Sequence, residues 1–147
     1  MRWRRTSLSV AKSMGADVVI NHRLTDVRTA VRQYTNSGAD VVVDSVGEQT
    51  WPVSLRSLRR GGRLVVCGAT TGPAVSLDLR RLFWHQWSIL GSTLGSQKEY
   101  AEIVRHAAEG CLWPVIDRVV PLDEAPAAYE RLRRGEQLGK LVIEVAQ

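Results

Sequence analysis

Gly15, Gly38 and Gly61 recur at an even spacing of 23 residues, and each is followed by a short apolar run rich in valine. The runs are Asp17-Val18-Val19-Ile20, Asp40-Val41-Val42-Val43 and Arg63-Leu64-Val65-Val66. A glycine that stops a helix just ahead of a buried strand punctuates a parallel α/β sheet, because glycine takes the left-handed conformation without strain and a strand covered on both faces is apolar throughout. The register therefore predicts that Gly15, Gly38 and Gly61-Gly62 each close a helix. A doubly wound sheet should also open with a strand, a glycine-rich turn and a helix. Nothing of that kind precedes Gly15.

The remaining elements follow from period and punctuation. Leu8, Ala11 and Met14 mark the end of a helix over 7–14, followed by a strand over 17–21. Thr25 is the expected cap of a helix carrying Val27, Ala30, Val31 and Tyr34 at i, i+3, i+4, i+7 spacing. A strand over 40–46 runs into Asp44-Ser45-Val46-Gly47, and Trp51, Leu55 and Leu58 mark the inner face of a further helix with Pro52 in its first turn. The third strand, Leu64 to Cys67, leaves through the small residues Gly68-Ala69-Thr70-Thr71-Gly72-Pro73. Asp78 starts a short helix through Phe83 and Trp84, and the stretch over 87–95 reads as a fourth strand with a second small-residue exit. Ser96-Gln97-Lys98-Glu99 is a capping box, opening a helix with Tyr100, Ile103, Val104, Ala107 and Ala108 as its apolar stripe and Gly110 as its stop. An extended segment from Val115 to Val120, a helix over 123–134 and a strand over 140–145 complete the chain. Small residues at the carboxyl end of a parallel strand suit either a surface turn or the close approach of a ligand to backbone.

Composition narrows the class. The 147 residues are 44% hydrophobic and 24% charged, the balance of a soluble domain with one core. No apolar stretch is long enough to span a bilayer and no secretory leader is legible, so the expectation is a cytoplasmic protein with no membrane partner. The net charge of +5 does not imply nucleic acid, since the pairs Arg59-Arg60, Arg80-Arg81 and Arg133-Arg134 fall at expected helix ends, where the dipole favours cations. Cys67 and Cys111 are too few for a metal knuckle or redox pair and are expected to be buried. His22, His85 and His106 stand without a second ligand at metal spacing, so no metal ligand is assigned.

Taken in order, Asp44-Ser45-Val46-Gly47, Gly61-Gly62-Arg63-Leu64-Val65-Val66-Cys67-Gly68, Gly91-Ser92-Thr93-Leu94-Gly95 and Gly135-Glu136-Gln137-Leu138-Gly139-Lys140-Leu141-Val142 resemble the medium-chain dehydrogenase/reductase family, in its zinc-type alcohol dehydrogenase and quinone oxidoreductase branches. The resemblance runs from about Ala11 to Val145. It implies an α/β fold: an incomplete doubly wound, Rossmann-like, mainly parallel sheet that lacks the first two strands and the glycine-rich phosphate loop. It divides the chain into an atypical segment over 1–10, a partial dinucleotide-binding domain over 11–111 and a return segment of the same fold over 112–147.

The resemblance also implies a cofactor, NADP or NAD, and contacts to it. Ser45 and Val46 would lie near its ribose and nicotinamide end, Cys67, Gly68 and Ala69 would meet the nicotinamide, and Ser92, Thr93 and Leu94 would face the carboxamide. Lys140 would reach the pyrophosphate, although by its sequence context alone it reads as a solvated charge opening an edge strand. The family's catalytic zinc ligands and proton relay have no counterpart here. No catalytic residue is assigned, and zinc is not expected to be bound by this chain. The implied function is the cofactor-binding portion of an NAD(P)-dependent oxidoreductase, inactive in isolation. The alternative is a non-catalytic module that dimerises or docks on a separately encoded catalytic half.

In the order 3-2-1-4-5-6 the strands present would be 3, 4, 5 and 6, so the central pair is missing. The strand over 17–21 must then either close up on 40–46 or stay unpaired. One sheet face is left short of cover, which favours a homo-oligomer or a partner.

Overall fold

The valine runs at 41–43 and 64–66 become neighbouring strands of a parallel sheet in the computed structural model, which describes residues 5–145. The predicted helix over 7–14 is α1 (Arg5–Ser13); residues 1–4 of the atypical opening segment lie outside the described residues. Gly15 stops α1 with φ of +101°, its N–H donating to the Lys12 carbonyl. The expected strand over 17–21 does not form. A strand needs a neighbour about 4.8 Å away to take its N–H and C=O groups, and no described strand lies beside this segment. Helix α2 (Val27–Thr35) is capped by Asp26 rather than Thr25. The Asp26 carboxylate accepts from the Thr29 N–H and hydroxyl, whereas the Thr25 N–H closes a turn onto the Asn21 carbonyl.

Strand β1 (Ala39–Asp44) is followed by α3 (Trp51–Ser57), β2 (Leu58–Val66), α4 (Leu79–His85) and β3 (Ser88–Gly91). The sheet order is β1-β2-β3, all parallel. Gly61-Gly62 does not close α3. That helix ends at Ser57, Leu58 is already extended, and the two glycines lie inside β2. The register jumps from Ala39 opposite Leu58 to Val41 opposite Arg63, so the glycines sit in an irregular loop-out of the strand. Arg59 and Arg60 move with them, Arg59 pairing with Asp40 and Arg60 with Gln86, while Arg80 and Arg81 lie in the first turn of α4, not at its end. β3 also stops at Gly91, leaving 92–95 outside the ladder.

One face of this sheet carries the core. Trp51, Leu55, Leu58, Leu64 and Trp87 form a buried cluster with Val42, Val66 and Ile89 packed against it, and Leu64 is wholly buried. Both indoles are anchored, Trp51 Nε1 donating to the Ser76 carbonyl and Trp87 Nε1 to that of Arg59. The alternate residues point the other way, as the two-residue period of a strand requires. There Val41, Val43 and Leu90 are exposed, Val43 to 68%.

Residues 16–94 form one compact unit and the segments on either side form a second. In the second, α5 (Gln97–Ala108) opens with the expected capping box, Ser96 accepting from the Glu99 N–H and Glu99 from the Ser96 N–H. Its predicted apolar stripe is not buried; Tyr100, Ile103 and Val104 are all exposed. β4 (Ile116–Pro121) leads through a 3₁₀ turn (Leu122–Glu124) into α6 (Ala125–Arg133) and β5 (Lys140–Glu144), and β4 and β5 form a separate parallel pair. Asp117 clamps this piece, accepting from Arg131 Nε at 2.8 Å and from the Leu138 N–H at 3.2 Å. The Arg131 hydrogen bond is the main reason its carboxyl lies below the ordinary aspartate range.

Gly38 is the glycine the first unit can least replace. Its φ is +119°, and a Cβ there would lie 2.6 Å from the Arg59 nitrogen and 2.9 Å from the Ser57 carbonyl oxygen, all rigid backbone. Gly15 has a similar dihedral but open space around it. Gly38→Ala is expected to cost about 2–4 kcal/mol and Gly15→Ala about 1–2 kcal/mol, measured by urea unfolding; equal costs would show that dihedral strain alone matters.

Candidate functional site

Three parallel strands end in one row. The register sets Asp44 opposite Val66 and Val66 opposite Gly91, so the segments after them, 45–50, 67–72 and 92–94, emerge side by side at the carboxyl edge of the sheet. That edge is where open parallel sheets bind ligands.

The first exit is shaped by Asp44, which is 4% exposed. Its Oδ1 accepts from the Val46 N–H at 2.8 Å, the Gly47 N–H at 3.0 Å and the Thr50 hydroxyl at 2.9 Å. Its Oδ2 accepts from the Ser54 hydroxyl at 2.6 Å and from Thr50 at 2.8 Å. Burial pushes this carboxyl up, but the hydrogen bonds from Ser54, Gly47, Val46 and Thr50 outweigh it and hold the group below the ordinary aspartate value. A single charged side chain thus ties the end of β1 to the first turns of α3.

The second exit is sewn to the first. The Cys67 N–H donates to the Asp44 carbonyl at 3.0 Å, the Thr70 hydroxyl to the Ser45 carbonyl at 3.0 Å, and the Thr71 N–H and hydroxyl both to the Val46 carbonyl at 2.8 Å. Gly68 passes so close that a Cβ on it would lie 2.8 Å from the Ser45 oxygen. Ser45, Val46, Cys67, Gly68 and Ala69 therefore share one rim. Ser92 joins it through its N–H on the Val66 carbonyl at 2.9 Å, and Thr93 and Leu94 run on into solvent, Leu94 94% exposed. The N–H groups of Gly68, Ala69, Thr93 and Leu94 find no acceptor among the described residues. Unclaimed donors at a strand exit suit a carboxamide or phosphate oxygen, so the residues present fit a dinucleotide's polar groups.

Lys140 belongs to the other unit, where it opens β5 as an exposed residue with its N–H on the Val115 carbonyl at 2.8 Å. Both thiols expected to be buried are exposed. Cys67 lies on the rim because the strand has already ended at Val66, and Cys111 follows the last turn of α5. Among the described residues the metal-capable group is His106, Glu109 and Cys111, which contains no rim residue. Among the described residues the rim brings no three such ligands together. Asp44 is the residue that sequence reasoning passed over; the signal was an acidic group ending an apolar strand, followed by hydroxyls at 50 and 54.

Replacing Asp44 tests this arrangement. Asp44→Ala is expected to cost about 3–5 kcal/mol, since it strands two N–H groups and two hydroxyls, and Asp44→Asn less. Because the native carboxyl titrates below its ordinary 3.8, its contribution is full above that value and is lost as pH falls through the lower native one. The stability gap between the parent and Asp44→Asn should therefore narrow on acidification. A gap independent of pH in urea unfolding would contradict the ionised hub.

The sequence profile described as zinc-binding dehydrogenase matches residues 4–109. An NAD-dependent alcohol dehydrogenase of Saccharolobus solfataricus is 30% identical over 142 residues, covering 95% of this chain and 41% of the relative. The crystal structure of an alcohol dehydrogenase from Aeropyrum pernix superposes with a TM-score of 0.86 at 31% identity, over 97% of this chain and 41% of that one. A mycobacterial quinone oxidoreductase gives a TM-score of 0.79 at 25% identity, over 97% and 47% of the two chains. The chain spans about two fifths of the length of the curated relatives it matches, and its parallel sheet matches their C-terminal, nucleotide-binding part. It belongs to the zinc-binding dehydrogenase family.

Proposed function

We propose that this chain forms the nicotinamide-binding side of an NAD(P)-dependent oxidoreductase of the alcohol dehydrogenase or quinone reductase type. The reaction served is hydride transfer between a nicotinamide ring and an alcohol, carbonyl or conjugated alkene. The observation that carries this reading is the alignment of three parallel strand exits with unclaimed backbone N–H groups along them, those of Gly68, Ala69, Thr93 and Leu94 among them. Ser45 and Val46 would border the ribose, Cys67 to Ala69 the ring, and Ser92 to Leu94 the carboxamide. Lys140 would supply a long-stemmed cation for the pyrophosphate. The rim offers binding groups and no proton relay, so the chain orients the cofactor and does not itself turn over.

Calorimetric titration with NADH and NADPH is expected to give a Kd tighter than millimolar for at least one of them. Leu94→Ala and Lys140→Ala touch only exposed residues and should each weaken binding about five-fold, equivalent to about 1 kcal/mol, without lowering the melting temperature. No heat with either dinucleotide, or dehydrogenase-rate turnover by the purified chain, would contradict the proposal.

A second reading is favoured by the uncovered sheet face. Val41, Val43 and Leu90 are exposed on it, a feature that suits a module seated on a second copy or on a separate catalytic half. If the face is an interface, light scattering will show association that Val43→Lys with Leu90→Lys abolishes. A parent chain that stays monomeric as concentration rises, and binds no complementary half, would rule this reading out.

A further inference from the structure

The last turn of α5 brings together three side chains that the sequence reading kept apart. Gly110 has φ of +72°. Its N–H donates to the Ala107 carbonyl at 3.1 Å, and the Cys111 N–H donates to the His106 carbonyl at 2.8 Å. These two bonds are the paired closures of a Schellman motif, which turns the chain back over the helix end. His106 and Cys111, five positions apart and on different faces of a continuous helix, become neighbours. One potential ligand atom from each of His106, Glu109 and Cys111 then lies within 4.8 Å of the others, and His106 Nδ1 is 3.7 Å from Glu109 Oε2.

We infer that His106, Glu109 and Cys111 form a three-ligand site for a borderline transition metal of the zinc class, with a fourth position open to water. An imidazole nitrogen, a carboxylate oxygen and a thiolate sulfur are the donors zinc takes, at about 2.0–2.3 Å each. Ligand atoms around a tetrahedral zinc stand about 3.3–3.8 Å apart, so closure asks for a shift of about 1 Å from side chains with room to move. The His106 and Glu109 side chains are 46% and 47% exposed, and the thiol is exposed. The carbonyl end of α5 adds negative potential under a cation. A thiolate in the set selects against magnesium and calcium.

Arg105 is the local competitor. Its Nη1 donates to both Glu109 oxygens, at 2.8 and 3.0 Å, and its Nη2 lies 3.3 Å from His106 Nε2. A metal has to take one Glu109 oxygen from this guanidinium. The site is independent of the rim and of the cofactor reading.

The test is titration of the whole reduced chain with Co(II), read by the thiolate-to-cobalt charge-transfer absorption and by displacement with Zn(II). The expected result is one equivalent bound, with the band lost in Cys111→Ser and kept in Cys67→Ser, which controls for the other exposed thiol. His106→Ala and Glu109→Gln should each weaken affinity ten-fold or more, and Arg105→Gln should tighten it. Circular dichroism of each variant verifies that α5 is intact. Absence of the band in the parent chain, its survival in Cys111→Ser, or unchanged affinity in both His106→Ala and Glu109→Gln would overturn the site.

Discussion

A buried carboxylate on the last residue of β1 organises the carboxyl edge of this chain's three-stranded sheet. Burying Asp44 costs free energy, and the charge persists because two backbone N–H groups and two hydroxyls meet it. The same bonds fix the turn at Ser45 and Val46, whose carbonyls then receive Thr70 and Thr71 from the next exit. The rim is thus held by polar bonds that begin at one side chain, while the apolar cluster around Leu64 holds the strands beneath it. Rigidity at the edge and hydrophobic burial below it are separate contributions, and a binding surface needs both.

Much of the architecture was legible because it depends on local chemistry. The valine runs at 41–43 and 64–66, the Ser96 capping box and the stops at Gly15 and Gly110 are each written in a few neighbouring residues, and each stands where expected. What failed depended on distant neighbours. Gly61 carries the positive φ of a helix stop but serves a strand irregularity, because Ala39 across the ladder fixes where β2 begins. The segment over 17–21 has a strand's composition and, among the described residues, no strand beside it. The α5 stripe has a helix's buried pattern with nothing over it. The rim residues became legible through family resemblance; Asp44 and the His106 group did not, since one is a packing device and the other is created by a chain reversal.

These failures point the same way. A period of apolar residues records the surface a sequence is suited to bury, whereas burial requires a covering partner. Val41, Val43, Leu90, Tyr100 and Ile103 are suited to burial and stand exposed, in a chain that spans about two fifths of its relatives' length. The sheet retains its relatives' geometry all the same, with a TM-score of 0.86 against an intact alcohol dehydrogenase. Within it the Leu64 cluster packs beneath the paired strands and the Asp44 network joins β1 to the exit that follows it.

The most direct measurement of the central claim is a backbone amide NMR titration with NADH or NADPH. If the strand exits are the cofactor surface, the amides of Gly68, Ala69, Thr93 and Leu94 shift first and furthest, and those of Val46 and Gly47 follow through the Asp44 network. Shifts confined to other surfaces, or none at saturating dinucleotide, would contradict it.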